Sequence, residues 1–570
     1  MNNKILSIAL AACMAGTLSS CDDFLTPSNK SNVTDDQYFS QKSGFETLVN
    51  NSYEHLRDIY TNKAFCTWFE AGTDMYISAR TNISDPYQKY ETLDAEDGDN
   101  KTLYFDCYTG IRHANAVKAY AAKASLLDKA YLDKRVDEAR VIAAHYYYLL
   151  VNCYGGVPLM KNFVETASTG YPRSTTEETY DYIISELESV VANNNLEAST
   201  AANGGGRVSM ESAKGLLAQV YLSAAWDLNK KEYFAKAADM ADQVIRGRAL
   251  TTSFADLWKA DGSGDDNEEF IWDVEYDHAT ANNKVNGGNS WSTWYSNYLG
   301  GNEDDIKATS SEFVPSLYAL HCFEKGDQRY DATFMKELPM VAKGNSAHTG
   351  YWTWYKNGES LKGYPVQRYY RAWYETDADV EAWRALDPDN RKDTYVIPMD
   401  TTTVECEQMN GAVKTYEEMV KQVFGGSVCR KFDDASTAAK VGSTDYRDIH
   451  IMTLSEMYLV AAEAYYKAGD ITKALARLNM VRHRAGLADA QAIDIDAILK
   501  ERACEMFGNS LRWIDLRRTQ TLIEHNNLHN PDIAGEAVLR IGKKLLRPIP
   551  QAAIDANNLL TSDDQNEGYK

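Results

Sequence analysis

The chain has 570 residues, more than a single core grows to, so one large composite domain or two or three closely packed ones are expected. Its formal net charge of -23 argues against nucleic acid or anionic lipid headgroups as the main partner and makes a neutral ligand easier to accommodate. The 37 tyrosines and 11 tryptophans point to half-wet contact surfaces, beside the tyrosines that helical proteins pack between their helices.

At the amino end, Lys4 precedes an apolar run from Ile5 to Met14. That run is too short to cross a bilayer, which takes about 20 residues, and reads as part of a secretory signal peptide over residues 1–20. Leu18-Ser19-Ser20-Cys21 resembles the lipobox of bacterial lipoproteins, which implies that Cys21 is lipidated and becomes the first residue. The alternative is a secreted chain whose Cys21 joins a disulfide. No later segment approaches a membrane span, so the body is expected to touch membrane only through its lipid. Residues 21–36 are polar and read as a lipidated tether. Cysteines remain at positions 66, 107, 153, 322, 406, 429 and 504, an odd number without a Cys-x-x-Cys pair, and read as small core hydrophobes.

Residues 37–249 read as a helical region. Phe45, Leu48, Val49, Tyr53 and Leu56 recur at helical spacing, and a long loop follows over residues 73–101. Further helices are predicted over 103–124, 136–154, 175–192, 210–225 and 233–245, the second of these ending at Gly155-Gly156-Val157-Pro158. Residues 250–450 lose the helical period and gain glycine pairs and aromatics, an irregular region with short helices and a few strands. Helical order returns in residues 451–570, with a hairpin over 454–467 and 471–484 turned at Gly469. Its small residues, Ala461, Ala462, Ala464 and Ala474, follow the tetratricopeptide pattern, which the 210–245 pair repeats. The fold class expected is mostly α: a tetratricopeptide-repeat helical scaffold carrying a large irregular insertion with loops and short strands.

Several stretches together resemble the SusD/RagB family of outer-membrane lipoproteins of Bacteroidetes. They are Cys21-Asp-Asp-Phe-Leu25, Asp74 in Gly-Thr-Asp-Met, Ile111-Arg-His-Ala-Asn115, Tyr154-Gly-Gly-Val-Pro158 and Asp327-Gln-Arg329. The helix Tyr458–Ala464, the stretch Leu478–Gly486, Glu501-Arg502, Arg512–Arg518, Arg547-Pro-Ile-Pro550 and Gln565-Asn566 complete the set, which spans nearly the whole chain. The resemblance implies a SusD-like fold and a cell-surface lipoprotein that binds oligo- or polysaccharide. It also implies a SusC-like TonB-dependent transporter as partner, over which the protein sits as a hinged lid, and no catalysis and no cofactor.

Sugar recognition calls for flat aromatic faces and short polar side chains in loops. Three clusters meet that description. Trp291, Trp294, Tyr295 and Tyr298 alternate with hydroxyls and amides in a Gly-flanked loop, although an aromatic plug joining the insertion to the scaffold has the same pattern. Asp74 opens a loop with Arg80, Tyr87 and Tyr90, which resembles the family region that supplies one wall of the sugar site. Trp352 and Trp354, with Arg368 and Tyr369, alternate as strands do, so one face could meet ligand while the other packs. Tyr146, Tyr147 and Tyr148 are consecutive on a helix and read as structural, as does Trp513 with Arg512 and Asp515. Two alternatives remain: peptide capture, as in RagB-like proteins, which would show a deep charged cleft, and a lipid-anchored glycosidase. For the latter Glu501 and Glu505, one helical turn apart, are candidates, though same-face acids usually form a solvated or salt-bridged edge. There is no His-Glu-x-x-His, Gly-x-Ser-x-Gly or phosphate loop, and no metal site is assigned.

Overall fold

The computed structural model describes residues 34–79, 83, 85–164, 170–203, 205–276, 288–295, 312–339, 365–406, 410–422, 425–434, 444–509, 511–535, 542 and 544–570. Of the expected site residues, Cys21, Arg80, Tyr298, Trp352 and Trp354 lie outside the described residues.

The amino-terminal half is built from α1 (Lys42–Thr61), α2 (Lys63–Glu70), α3 (Gly98–Ala121), α4 (Lys129–Tyr154), α5 (Thr176–Asn193), α6 (Met210–Asp227) and α7 (Glu232–Ile245). Helix α1 buries Phe45, Leu48, Val49, Leu56 and Ile59 on one stripe and packs on α3, whose start is set by Asp97 accepting from the Asn100 amide. Helices α3 and α4 lie close because Gly110 has no side chain; a Cβ there would meet the Tyr146 ring at 2.3 Å. Tyr146, Tyr147 and Tyr148 are all buried. Thr175 and Glu178 form a reciprocal capping box at the start of α5.

The carboxyl-terminal part contributes α10 (Leu454–Ala468), α11 (Ile471–Arg484), α12 (Ile495–Glu505), α13 (Arg512–Arg518) and α14 (Leu522–His529), after the shorter α8 (Trp291–Tyr295) and α9 (Asp377–Leu386) of the irregular region. Gly469 takes the left-handed conformation (φ 88°) that closes α10 and turns the chain into α11. Helix α7 packs against both α6 and α10, so the two tetratricopeptide-type hairpins are spatial neighbours although some 200 residues separate them. Their contact faces are rich in alanine, with Ala237, Ala238, Ala241, Ala461 and Ala464 at or near full burial, which lets the helix axes approach.

The excursion is tied back by strands. β1 (Tyr76–Ile77) pairs antiparallel with β3 (Val314–Pro315), and β2 (Phe270–Val274) pairs antiparallel with β7 (Ile449–Thr453), which runs directly into α10. β4 (Glu337–Pro339), β5 (Val366–Arg371) and β6 (Tyr395–Pro398) form a small mixed sheet with β5 central. One continuous hydrophobic core reaches from Leu56 to Leu560 and takes in residues of all three sequence regions. The seven cysteines after Cys21 are buried and unbridged. Among the described residues no helix is long and apolar enough to cross a membrane.

Candidate functional site

The described residues of all three predicted clusters are drawn into the core rather than onto an outer face. Asp74 is fully buried and receives Arg512 Nε at 2.8 Å and Nη2 at 2.6 Å, with His525 Nδ1 at 2.7 Å. Burial alone would raise the Asp74 carboxyl, but the charge and hydrogen bonds of Arg512, helped by His525, outweigh it and hold the group well below the usual carboxylate range. Asp74 is therefore a strut joining the loop after α2 to α13 and α14, not a wall of a sugar site.

Tyr87 and Tyr90 are also fully buried. The Tyr87 hydroxyl donates to Asp97 at 2.6 Å, and that of Tyr90 donates to the Gly72 carbonyl at 3.0 Å while accepting from the Trp513 indole at 3.0 Å. Tyr90 holds a left-handed backbone (φ 55°), uncommon for an aromatic residue. The buried Arg547 guanidinium lies over Tyr87, Tyr90 and Trp513, at 5.0, 5.6 and 4.3 Å from their ring centres, so these faces stack on a cation of the protein itself.

Trp291, Trp294 and Tyr295 form the plug. The Trp291 indole donates to the Tyr60 carbonyl at the end of α1 (2.9 Å), and its ring meets Phe432 edge-on. Tyr295 packs among Tyr76, Phe313 and Phe432, and the Trp294 carbonyl accepts from the amides of Glu312 and Phe313. The interspersed polar groups are consumed as well: Ser292 donates to Asp445, and the Asn289 amide donates to the Arg447 carbonyl. Trp291 borders a hollow of about 10 Å³, room for about one water and far too small for a sugar ring. In the third cluster, Tyr369 stacks on Trp383 of α9 (4.2 Å, 24°) and donates to Glu375, while Arg368 is buried over the Tyr395 ring. The outward platform expected from these residues is thus corrected. Alternation of rings and hydroxyls suits a wet surface and a satisfied interior alike, and distant partners decide between them.

The acids considered for catalysis are committed too. Arg329 lies 2.6 Å from Glu501 and 3.2 Å from Glu505, and Arg484 pairs with Glu505. Burial would raise Glu505, yet Arg484 and Arg329 bring it down to about 2. Glu501 and Glu505 lie 4 % and 3 % exposed, which makes the pair a cross-link with no access to substrate.

The motifs that carried the resemblance meet in space as such cross-links. Asn566 donates to the carbonyls of Tyr154 and Arg547, Gln565 exchanges hydrogen bonds with the main chain of Ile549, and Asn115 donates to the Met160 carbonyl. They hold the scaffold.

An open cavity of about 460 Å³ lies elsewhere, between the segment after α4 and the outer face of α5. Lys161, Tyr171, Glu178, Asp181, Tyr182 and Ser185 line it. Its volume falls within the roughly 300–1,000 Å³ of small-molecule sites. The sequence signals it only faintly, because Tyr182 sits in an ordinary amphipathic helix. The available signal was that Tyr182 falls off the buried stripe of Tyr180, Ile183, Leu187 and Val190, an aromatic residue on a polar face.

The model of the SusD family matches residues 268–569, more than half of the chain. The chain belongs to the SusD family. A second model, described as starch-binding associating with outer membrane, matches residues 23–222. A SusD-like protein of Formosa agariphila is 22% identical over 537 residues, covering 89% of this chain and 90% of its own length. A SusD-like protein of Bacteroides ovatus is 22% identical over 368 residues, 58% of this chain and 64% of its own. Among solved structures, a laminarin-binding SusD-like protein superposes with a TM-score of 0.64 at 21% identity, covering 93% of this chain and 100% of that one. A SusD homolog from Bacteroides thetaiotaomicron gives 0.69 at 17% identity, over 94% and 98%. A structure solved with xylogluco-oligosaccharide gives 0.62 at 17% identity, over 91% and 98%. The fold is therefore the helical SusD fold.

Proposed function

We propose that this SusD-family chain is a cell-surface lipoprotein of the outer membrane, anchored through Cys21. It binds oligo- or polysaccharide without hydrolysing it and delivers it to a SusC-like TonB-dependent transporter, over which it acts as a hinged lid. The observation that carries the reading is the family match together with a whole-chain fold shared with a laminarin-binding SusD-like protein. The model described as starch-binding associating with outer membrane supports the location, and the structure solved with xylogluco-oligosaccharide supports the ligand class. A hollow that is open and edged by tyrosines favours sugars over peptide, for which a deep cleft is expected.

Native affinity electrophoresis through gels cast with a panel of plant, algal, fungal and host polysaccharides tests this. Retardation by at least one of them, with no reducing ends released on prolonged incubation, is the expected result. Free mobility in every gel would remove the glycan-binding reading, and released sugar would turn it to an enzyme.

A further inference from the structure

We propose that the open cavity beside α5 is a carbohydrate subsite for a neutral oligosaccharide. The inference rests on the glycan-binding reading above and adds a place and a ligand class to it.

Two tyrosines flank the hollow, one held through its ring and the other through its main chain. The Tyr182 ring packs edge-on against Tyr147 (5.4 Å, 86°), and the Tyr171 main chain is held on both sides by Asn557, which accepts from its amide at 3.2 Å and donates to its carbonyl at 2.6 Å. Lys161 spans the mouth with its ammonium 5.4 Å from the Tyr182 ring centre, and Lys118 holds its carbonyl at 3.2 Å. The site is thus preorganised, on a helix and a pinned segment, instead of being assembled at binding.

Several of its polar atoms are unspent. Neither the Tyr182 hydroxyl, half-buried as that residue is, nor the Asp181 carboxylate has a hydrogen-bond partner among the described residues, and Tyr171 has no ring partner among them. Glu178 uses one carboxylate oxygen, Oε2, in the capping box and keeps the other. Ser185 donates to the Tyr182 carbonyl at 2.8 Å, which leaves its oxygen free to accept. That contrasts with the three clusters above, whose hydroxyls and amides are satisfied internally.

Carboxylates accept from the neighbouring hydroxyls of a sugar, a phenol donates to or accepts from a third, and a tyrosine face covers the C–H side of the ring. Two carboxylates against one ammonium leave the rim negative, which disfavours uronic-acid or sulfated sugars. The chain's net charge of -23 acts in the same direction at longer range.

The test uses the full chain in detergent, titrated calorimetrically with laminarin- and xyloglucan-derived oligosaccharides and with fragments of whichever polysaccharide retards it in gels. Ser185→Trp fills the hollow from an exposed position, Asp181→Asn removes a charged acceptor, and Tyr182→Phe removes only a hydroxyl. Circular dichroism and melting confirm that each remains folded. The expected result is loss of a binding step, or about a tenfold weakening, in Ser185→Trp and Asp181→Asn, as befits hydrogen bonds to a charged group. If the wild type binds sugar and all three variants bind it equally, the subsite is wrong while the glycan reading stands. If Ser185→Trp keeps its sugar affinity but no longer co-purifies a transporter, the hollow is a protein contact and the proposal falls. If the wild type binds no sugar, the glycan reading fails and takes the subsite with it.

Discussion

Replacing Arg512 by methionine removes a guanidinium that makes two contacts to Asp74, at 2.8 and 2.6 Å, and a third at 2.7 Å to the Leu499 carbonyl. Methionine fills much of the same volume, so packing is largely kept and the loss is electrostatic. Asp74 would then sit fully buried with only His525 beside it. Breaking a buried pair from one side costs about 3–5 kcal/mol, because the remaining charge has lost both water and its partner. With an unfolding entropy of about 2.1 cal/mol/K per residue over the 570-residue chain, that is a fall in melting temperature of about 2.5–4 °C. Differential scanning calorimetry measures it directly. The double variant Asp74→Leu, Arg512→Met removes both charges and should recover most of the loss, since apolar replacements of buried pairs are often neutral. An Arg512→Met protein melting with the wild type, or a double variant less stable than the single one, would refute the reasoning.

Other consequences follow from the same structure. Burial would lower His450, but the carboxylates of Asp273 and Asp265 raise it to about 9, so between 6.5 and 9 the folded state binds more protons than the unfolded one. Stability should therefore fall as pH rises through that window, and His450→Gln should flatten the fall in urea titrations. Asp448, raised by burial to about 7, adds a loss of the same sign at lower pH. Trp291→Ala should cost about 3–5 kcal/mol of stability, seen by denaturant unfolding, without a specific loss of sugar affinity. Cys21→Ala should move the protein from the membrane fraction to the soluble one on cell fractionation.

The helical scaffold was legible because its signals are local. Spacings of three and four residues, alanine faces and Gly469 lie within each hairpin, and α10 and α11 fall where the pattern puts them. Helix α3 begins earlier than its apolar stripe because Asp97 caps it, a signal outside the hydrophobic period. The aromatic clusters are illegible for the opposite reason, since their partners are remote. Trp291 finds Tyr60 across 231 residues, and Asp74 finds Arg512 across 438. A ring alternating with hydroxyls looks the same whether water or a carbonyl from elsewhere completes it. The motifs that carried the resemblance identified the family through residues that build its interior, so they located the fold without locating a ligand. The cavity beside α5 is formed by two segments that carry none of those motifs.

Capture of glycan at the cell surface for import is tested most directly by incubating intact cells, with and without this chain, with a fluorescent form of the polysaccharide that retards it. Cells carrying the chain should hold label at their surface, lose it when external protease removes the protein, and take label inside faster than cells lacking it. Equal surface label and equal uptake in both strains, with the protein protected from external protease, would contradict the surface-capture function.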